Sequence, residues 1–186
     1  MKKTLSLLFF LAVICFSLNA QVRVGATAAT SFKFADDSEH IKGINSLGIT
    51  AFVPVYKGIE LNSSLTTGAY YFDFTYDSIK LTNLIFSIGP GYNYSFNEKF
   101  SLGGYLDFGY NLIKFVKKDT YGDSYDDSYG DDLHYFLISP MITFEYKPVK
   151  NLSLGIFTKY DFFCGEDSTT DFEKPVSVGL NILYCF

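Results

Sequence analysis

The chain has 186 residues, 15 Lys and Arg against 20 Asp and Glu for a formal net charge of -5, and 20 Phe and 15 Tyr with no Trp. That length suits one domain or a small pair. Hydrophobic residues at 48% and charged ones at 19% exclude a disordered polar chain. The acidic balance, with no Lys/Arg cluster, argues against nucleic acid as a partner, because such binding needs a basic surface. The unusual figure is the 19% of aromatic residues.

Residues 1–20 read as a cleaved secretory signal peptide. Lys2 and Lys3 form a positive start, LSLLFFLAVICFSL an apolar run, and Ala20 a small residue before Gln21. Ile14 before Cys15 does not fit a lipoprotein signal, which has a small residue there. Removing this segment takes away Lys2 and Lys3 and no acid, leaving 13 basic against 20 acidic residues in 21–186. No later stretch reaches the 18 or so uninterrupted apolar residues of a membrane helix. Membrane insertion of residues 21–186 would therefore require a closed β-barrel.

Eight runs of period-two alternation follow, each predicting a strand with two chemically different faces. The first, 22–34, places Val22, Val24, Ala26 and Ala28 opposite Arg23, Gly25, Thr27 and Lys33. The second carries Leu47, Ile49, Ala51, Val53 and Val55, with Phe52 and Pro54 as exceptions. The third sets Ile59, Leu61, Leu65, Ala69 and Tyr71 against Glu60, Asn62, Ser64, Thr66 and Gly68, weakened by Ser63 and Thr67. The fourth holds Leu84, Phe86, Ile88, Pro90, Tyr92 and Tyr94, and the fifth Phe100, Leu102, Leu106, Phe108, Tyr110 and Leu112 opposite Ser101, Gly103, Asp107, Gly109 and Asn111. Phe136, Ile138, Pro140, Ile142, Phe144 and Tyr146 make the sixth. Leu152, Leu154, Ile156, Tyr160 and Phe162 make the seventh, opposite Ser153, Gly155, Lys159 and Asp161. Val176, Val178, Leu180, Ile182, Tyr184 and Phe186 make the eighth, facing away from Ser177, Gly179, Asn181 and Cys185. A tilted strand crosses a bilayer in about 9 to 11 residues, which these runs supply.

The links alternate in length. Short ones are expected at Lys57-Gly58, Phe96 to Lys99 and Lys147 to Asn151, and longer polar ones at 35–43, 72–79, 114–133 and 164–174. Eight antiparallel strands then put every short turn and both termini at one end, as in outer-membrane barrels. A secreted lipocalin-like barrel with an apolar lumen is the competing arrangement. Against it stand the aromatic residues near the strand ends, a mixed and self-neutralising set of charges on the polar face, and the final Phe186.

The last segment, VSVGLNILYCF, resembles the C-terminal recognition signal of bacterial outer-membrane barrels, and LIFSIGPGYNYSFNEKFSLGGYLDFGYNL is similar to the central hairpin of the small eight-stranded OmpA/OmpX-like outer membrane protein β-barrel family. The resemblance covers residues 21–186 and is one of pattern. It implies an all-β fold, an eight-stranded antiparallel up-and-down transmembrane β-barrel in the outer membrane of a Gram-negative bacterium. Its implied partners are outer-membrane lipid and, through the last strand, the barrel assembly machinery. It implies no activity, because that family includes adhesins, structural anchors, small channels and a few lipid-modifying enzymes.

The functional expectation is a non-enzymatic structural or surface-interaction role, with a narrow channel or transporter for small or apolar molecules as the alternative. Inside so narrow a barrel, Arg23 is expected to pair with Glu60 or Glu145, and Lys159 with Asp107 or Asp161. The acidic loop 114–133, where six Asp interleave with Tyr121, Tyr125 and Tyr129, is the expected surface-partner site. Its carboxylates suit Ca²⁺, yet their spacing matches no twelve-residue calcium loop and favours a solvated run. His40 with Asp77 and Ser78 is similar in placement to the catalytic groups of the lipid A palmitoyltransferase barrel; they are expected to be ordinary loop residues, and His134 an interfacial one. Cys164 and Cys185 fall at opposite ends of their strands, too far apart for a disulfide. No catalytic, cofactor-binding or metal-ligating residue is expected.

Overall fold

A strand that is apolar on one face and polar on the other must hide one of them, and this chain does so by closing a single sheet on itself. The computed structural model describes residues 22–32, 44–73, 78–118, 133–164 and 176–186. Among them are β1 (Arg23–Phe32), β2 (Ile44–Tyr56), β3 (Ile59–Asp73), β4 (Ser78–Ser95), β5 (Phe100–Lys118), β6 (Leu133–Val149), β7 (Leu152–Tyr160), β8 (Phe162–Cys164) and β9 (Val176–Cys185). All pairings are antiparallel, and β1 closes on β9. β7 and β8 both pair with β6 and form one stave interrupted at Asp161, so the barrel has eight staves where the seventh run predicted an unbroken strand.

The stagger of the staves follows from the pairing register. Outward-facing Phe32 lies beside Val176, which lies beside Tyr160. Continuing in register through Pro140, Leu106, Pro90, Leu61 and Val53 leads back to the first strand at Val22, ten residues from Phe32. Such a shear obliges the strands to tilt strongly to the barrel axis and leaves an eight-stranded interior only wide enough for side chains.

Both faces follow the sequence parity. Leu47, Ile49, Leu180 and Ile182 are among the exposed apolar residues of the outer face, whereas Arg23, Asn62, Asp107, Asn111 and Glu145 are buried in the lumen. The two exceptions in the second run are explained by the same parity. Phe52 is fully buried in the lumen, and the register of β2 with β3 shifts between Pro54 and Tyr56, so a bulge absorbs the proline before the turn. On the outer face, Thr67 turns its hydroxyl onto the carbonyl of Asn83 at 3.0 Å, which satisfies it without water.

The turn end is tightly built. Lys57 and Gly58 have φ of 39° and 87°, the paired positive values of a two-residue hairpin turn, and the Gly58 carbonyl accepts a bond from Asn93 N at 2.7 Å. In the next turn Asn97 Oδ1 accepts the N–H groups of Lys99 and Phe100 at 2.8 and 2.9 Å. The third is shorter than expected, because β6 runs to Val149 through a register shift and only Lys150 and Asn151 remain between the strands. At the opposite end β3 and β4 also outrun the sequence boundaries, leaving only 74–77 between them rather than 72–79. β4, β5 and β6, at 18, 19 and 17 residues, exceed what a bilayer needs, so this side of the wall stands taller than the rest.

Glycines mark where staves approach most closely. A Cβ on Gly89 would run into the Leu106 carbonyl oxygen, a backbone atom with nowhere to move, whereas one on Gly104 meets nothing within 4 Å. Gly89→Ala is therefore expected to abolish the heat-dependent gel shift of the refolded barrel while Gly104→Ala retains it; equal behaviour of the two variants would contradict the packing described.

Candidate functional site

Within the described residues the lumen is where chemistry-bearing side chains converge, and it is layered along the axis. The layer nearest the turns is ionic. Arg23 enters on β1 at the turn end, Glu60 follows the β2–β3 turn within two residues, and Glu145 is near the end of β6. Arg23 Nη1 donates to Glu145 Oε2 at 2.7 Å and Nη2 to Glu60 Oε2 at 2.5 Å. β1, β3 and β6 are not neighbours in the sheet, so these bonds span the lumen and tie three separate parts of the wall. Tyr105 donates its hydroxyl to Glu60 at 2.7 Å and Ser153 to Glu145 at 2.9 Å. The Arg23 guanidinium also lies 5.0 Å from the ring centre of Phe52. The expectation of either carboxylate for Arg23 resolves into both.

Phe52, Tyr105, Met141, Phe157 and Leu183 form the next layer, an apolar cluster across the barrel with the Phe52 and Tyr105 ring centres 5.2 Å apart. Sequence reasoning misses these as a group, because the alternation draws attention to polar inward positions. Their signal lies in parity together with the glycines beside them. A Cβ on Gly91 or Gly103 would collide with the Tyr105 ring, and one on Gly179 with the Phe157 ring. Inward glycines in this lumen thus make room for inward aromatics.

Beyond this layer the lumen is polar again. Asn62 donates to Asp107 Oδ2 at 2.6 Å and accepts from the Thr50 hydroxyl at 3.2 Å. Ser139 donates to Asp161 Oδ1 at 2.5 Å, and Lys159 Nζ stands 3.3 Å from the same oxygen. Lys159 therefore takes Asp161, while Asp107 is held by an amide. Asp107 Oδ1 and Asn181 Oδ1, buried without a hydrogen-bond partner, border a cavity of about 50 Å³ above the apolar cluster. That volume admits a few waters, roughly one per 10 to 15 Å³, and nothing larger. Among the described residues the inward charges are two cations and four carboxylates, an acidic balance.

Other expected residues have no part in this arrangement. His134 lies on the outer face of β6, its Nδ1 2.7 Å from the Tyr110 hydroxyl. Cys164 is exposed and Cys185 buried, and both are free thiols. His40, Asp77, Lys33, residues 1–20 and the acidic segment 119–132 lie outside the described residues, as does the side chain of Ser78.

No protein-family model matches the chain, and no curated protein matches it by sequence. Its structure is similar to that of a major outer membrane protein from Thermus thermophilus, with a TM-score of 0.59 and 13% identity over 90% of this chain and 99% of that one. Ail, the attachment invasion locus protein of Yersinia pestis, gives a TM-score of 0.57 and 14% identity over 90% and 97%, and OprG of Pseudomonas aeruginosa 0.54 and 12% over 90% and 96%. Ail has also been solved in complex with the heparin analogue sucrose octasulfate. At these identities the likeness is one of fold: a closed, eight-stranded antiparallel barrel of the kind found among small outer-membrane proteins.

Removing Arg23 leaves Glu60 and Glu145 as uncompensated buried charges, a loss on the order of 3 to 5 kcal/mol. Lys159, with a side chain 14% exposed and a single ion pair at 3.3 Å, is less completely buried and is expected to cost less when removed. Urea unfolding of barrels refolded in lipid vesicles should therefore rank the midpoints wild type, then Lys159→Ala, then Arg23→Ala, and an Arg23→Ala midpoint at or above that of Lys159→Ala would refute the shared ion network.

Proposed function

We propose that this chain, folded as the small outer-membrane barrels are, is an integral outer-membrane protein with a structural or surface-interaction role and a lumen closed to solutes. The carrying observation is the stacked plug: the Arg23, Glu60 and Glu145 layer and the Phe52, Tyr105, Met141, Phe157 and Leu183 layer lie in series beneath a cavity of about 50 Å³. An apolar exterior carrying paired rings near the strand ends supports the membrane location. Phe100 stacks on Tyr146 at 5.1 Å and Tyr184 meets Phe186 at 4.9 Å toward the turns, with Tyr160 and Phe162 at 4.6 Å toward the other end. In this reading residues 1–20 are the export signal removed before residues 21–186 fold, and the last strand is presented to the assembly machinery. The role is not enzymatic. The tall β5–β6 wall presents the acidic, Tyr-rich segment 119–132 to a partner outside the membrane, where Tyr supplies apolar area and a hydrogen bond together.

A second reading, lateral passage of small apolar molecules, has one observation in its favour. Pro90 on β4 and Pro140 on β6 flank Leu106 on the outer face, each removes a backbone donor, and the β4–β5 pairing lapses at Gly89 and Pro90. An exterior groove follows this line past Gly104, Tyr160 and Val176.

In planar bilayers the refolded protein is expected to give no unitary conductance steps; reproducible steps of one amplitude would overturn the closed lumen. For the lateral reading, uptake of a radiolabelled aromatic hydrocarbon by cells should fall when Pro90→Val and Pro140→Val replace the wild type. Equal uptake with and without the gene removes that reading.

A further inference from the structure

The cavity above the apolar cluster is apolar on one side and polar on the other. Phe52, Met141 and Phe157 of that cluster form its floor, and Ser31, Ser46 and Ser177, near the far ends of β1, β2 and β9, line it toward the long links. Among the described residues three charged side chains border it: Asp107, Asp161 and Lys159. Lys159 Nζ, 3.3 Å from Asp161 Oδ1, neutralises that carboxylate. Asp107 remains as one negative charge, 1% exposed, whose partner is the uncharged amide of Asn62 at 2.6 Å. A carboxylate buried on those terms is costly until a cation stands beside it.

The donors around the cavity are already committed. Asn62 gives its amide to Asp107 Oδ2, the Thr50 hydroxyl goes to Asn62, and the Ser139 hydroxyl to Asp161. Ser31 and Ser177 share a bond at 2.7 Å, and Ser64 and Ser87 one at 2.8 Å. What meets the cavity unused is oxygen. Asp107 Oδ1 and Asn181 Oδ1 are buried without a hydrogen-bond partner, on residues 1% and 3% exposed that both line it. β5 and β9 stand three staves apart, so the two oxygens reach the cavity from different parts of the wall.

We infer that this pocket binds one alkali-metal cation of sodium size, with Asp107 as its counter-charge, Asn181 Oδ1 as a carbonyl ligand and water completing the shell. Hard cations take carboxylate, carbonyl and water oxygens. The excess charge of one selects a monovalent ion, since a divalent one would turn the layer positive. Consistently, no three His, Cys, Asp or Glu side chains among the described residues group as a metal site. A cavity of about 50 Å³ has room for the ion with a few waters, at roughly 10 to 15 Å³ each. The site goes beyond the structural or surface-interaction role proposed above and does not depend on it.

The test uses the full chain refolded in an uncharged maltoside detergent, where sodium meets no lipid headgroup. Sodium chloride replaces choline chloride at constant ionic strength and mildly alkaline pH, and unfolding is followed in urea; choline is too large for the pocket and serves as the blank. The wild-type midpoint should rise linearly with the logarithm of sodium concentration once the site fills, as binding to the folded state alone requires. Equilibrium dialysis against radioactive sodium should count one ion per barrel. Asp107→Asn should lose both the rise and the ion, while Lys159→Gln, which leaves two carboxylates and no cation, should bind sodium more tightly. Glu98→Gln, at the turn end, should behave as the wild type. Equal midpoints in the two salts, no retained ion, or a sodium response undiminished in Asp107→Asn would overturn the site. The heat-dependent gel shift identifies folded barrels, and the titration and ion count on the wild type decide the matter even where a variant does not fold.

Discussion

The edge of a sheet leaves backbone N–H and C=O groups without partners in the sheet, and the other features of this protein follow from how that edge is closed. A sheet with a free edge would leave a row of N–H and C=O groups unpaired, so β1 must find β9 across the whole sequence, and Arg23 to Phe32 pair in unbroken register with Cys185 to Val176. Closure at eight staves with a shear of ten then fixes a lumen too narrow for bulk water yet lined by whatever the inward parity delivers. Charged residues delivered there must find polar partners within the lumen, as Asp107 does in the Asn62 amide. Arg23 meets this demand by serving two carboxylates that arrive from opposite parts of the wall.

The lumen consequently behaves as a core turned inside out. Its contents alternate ionic, apolar and polar layers, and the apolar one is placed between two sets of charges, where it excludes water from the Arg23 cluster and strengthens the pairing there. Glycine is part of this packing: Gly91, Gly103 and Gly179 lie under the Tyr105 and Phe157 rings, so small and large residues on the same or adjacent staves fill the same space jointly. The exterior obeys the opposite rule, and a polar residue placed on it, Thr67, is satisfied by a neighbouring carbonyl.

The two ends of the barrel differ in kind. Turns of two to four residues hold the lysine-bearing end rigid through Gly58, Asn97 and the Lys147 to Lys99 bond. At the other end the staves are unequal, and the tall β4, β5 and β6 carry the segment richest in Asp and Tyr.

The number of staves, the inward or outward direction of nearly every described strand residue, the end at which the turns cluster and the free state of Cys164 and Cys185 were legible in the sequence. All of these depend on parity and on link length, which are local along the chain. The break at Asp161, the extra length of β3 to β6 and the shortened third turn were not legible, because a strand ends where its neighbour stops pairing, and neighbours are set by the closed sheet. Likewise Arg23, Glu60 and Glu145 were recognisable as candidates from their positions near the turns, yet the sequence left open which carboxylate Arg23 would choose. That choice depends on the stagger of eight tilted staves, which brings β1, β3 and β6 together across the lumen although no two of them are adjacent. Side-chain direction is a property of single strands and can be read from their order of residues; meetings across an interior are a property of the closed whole.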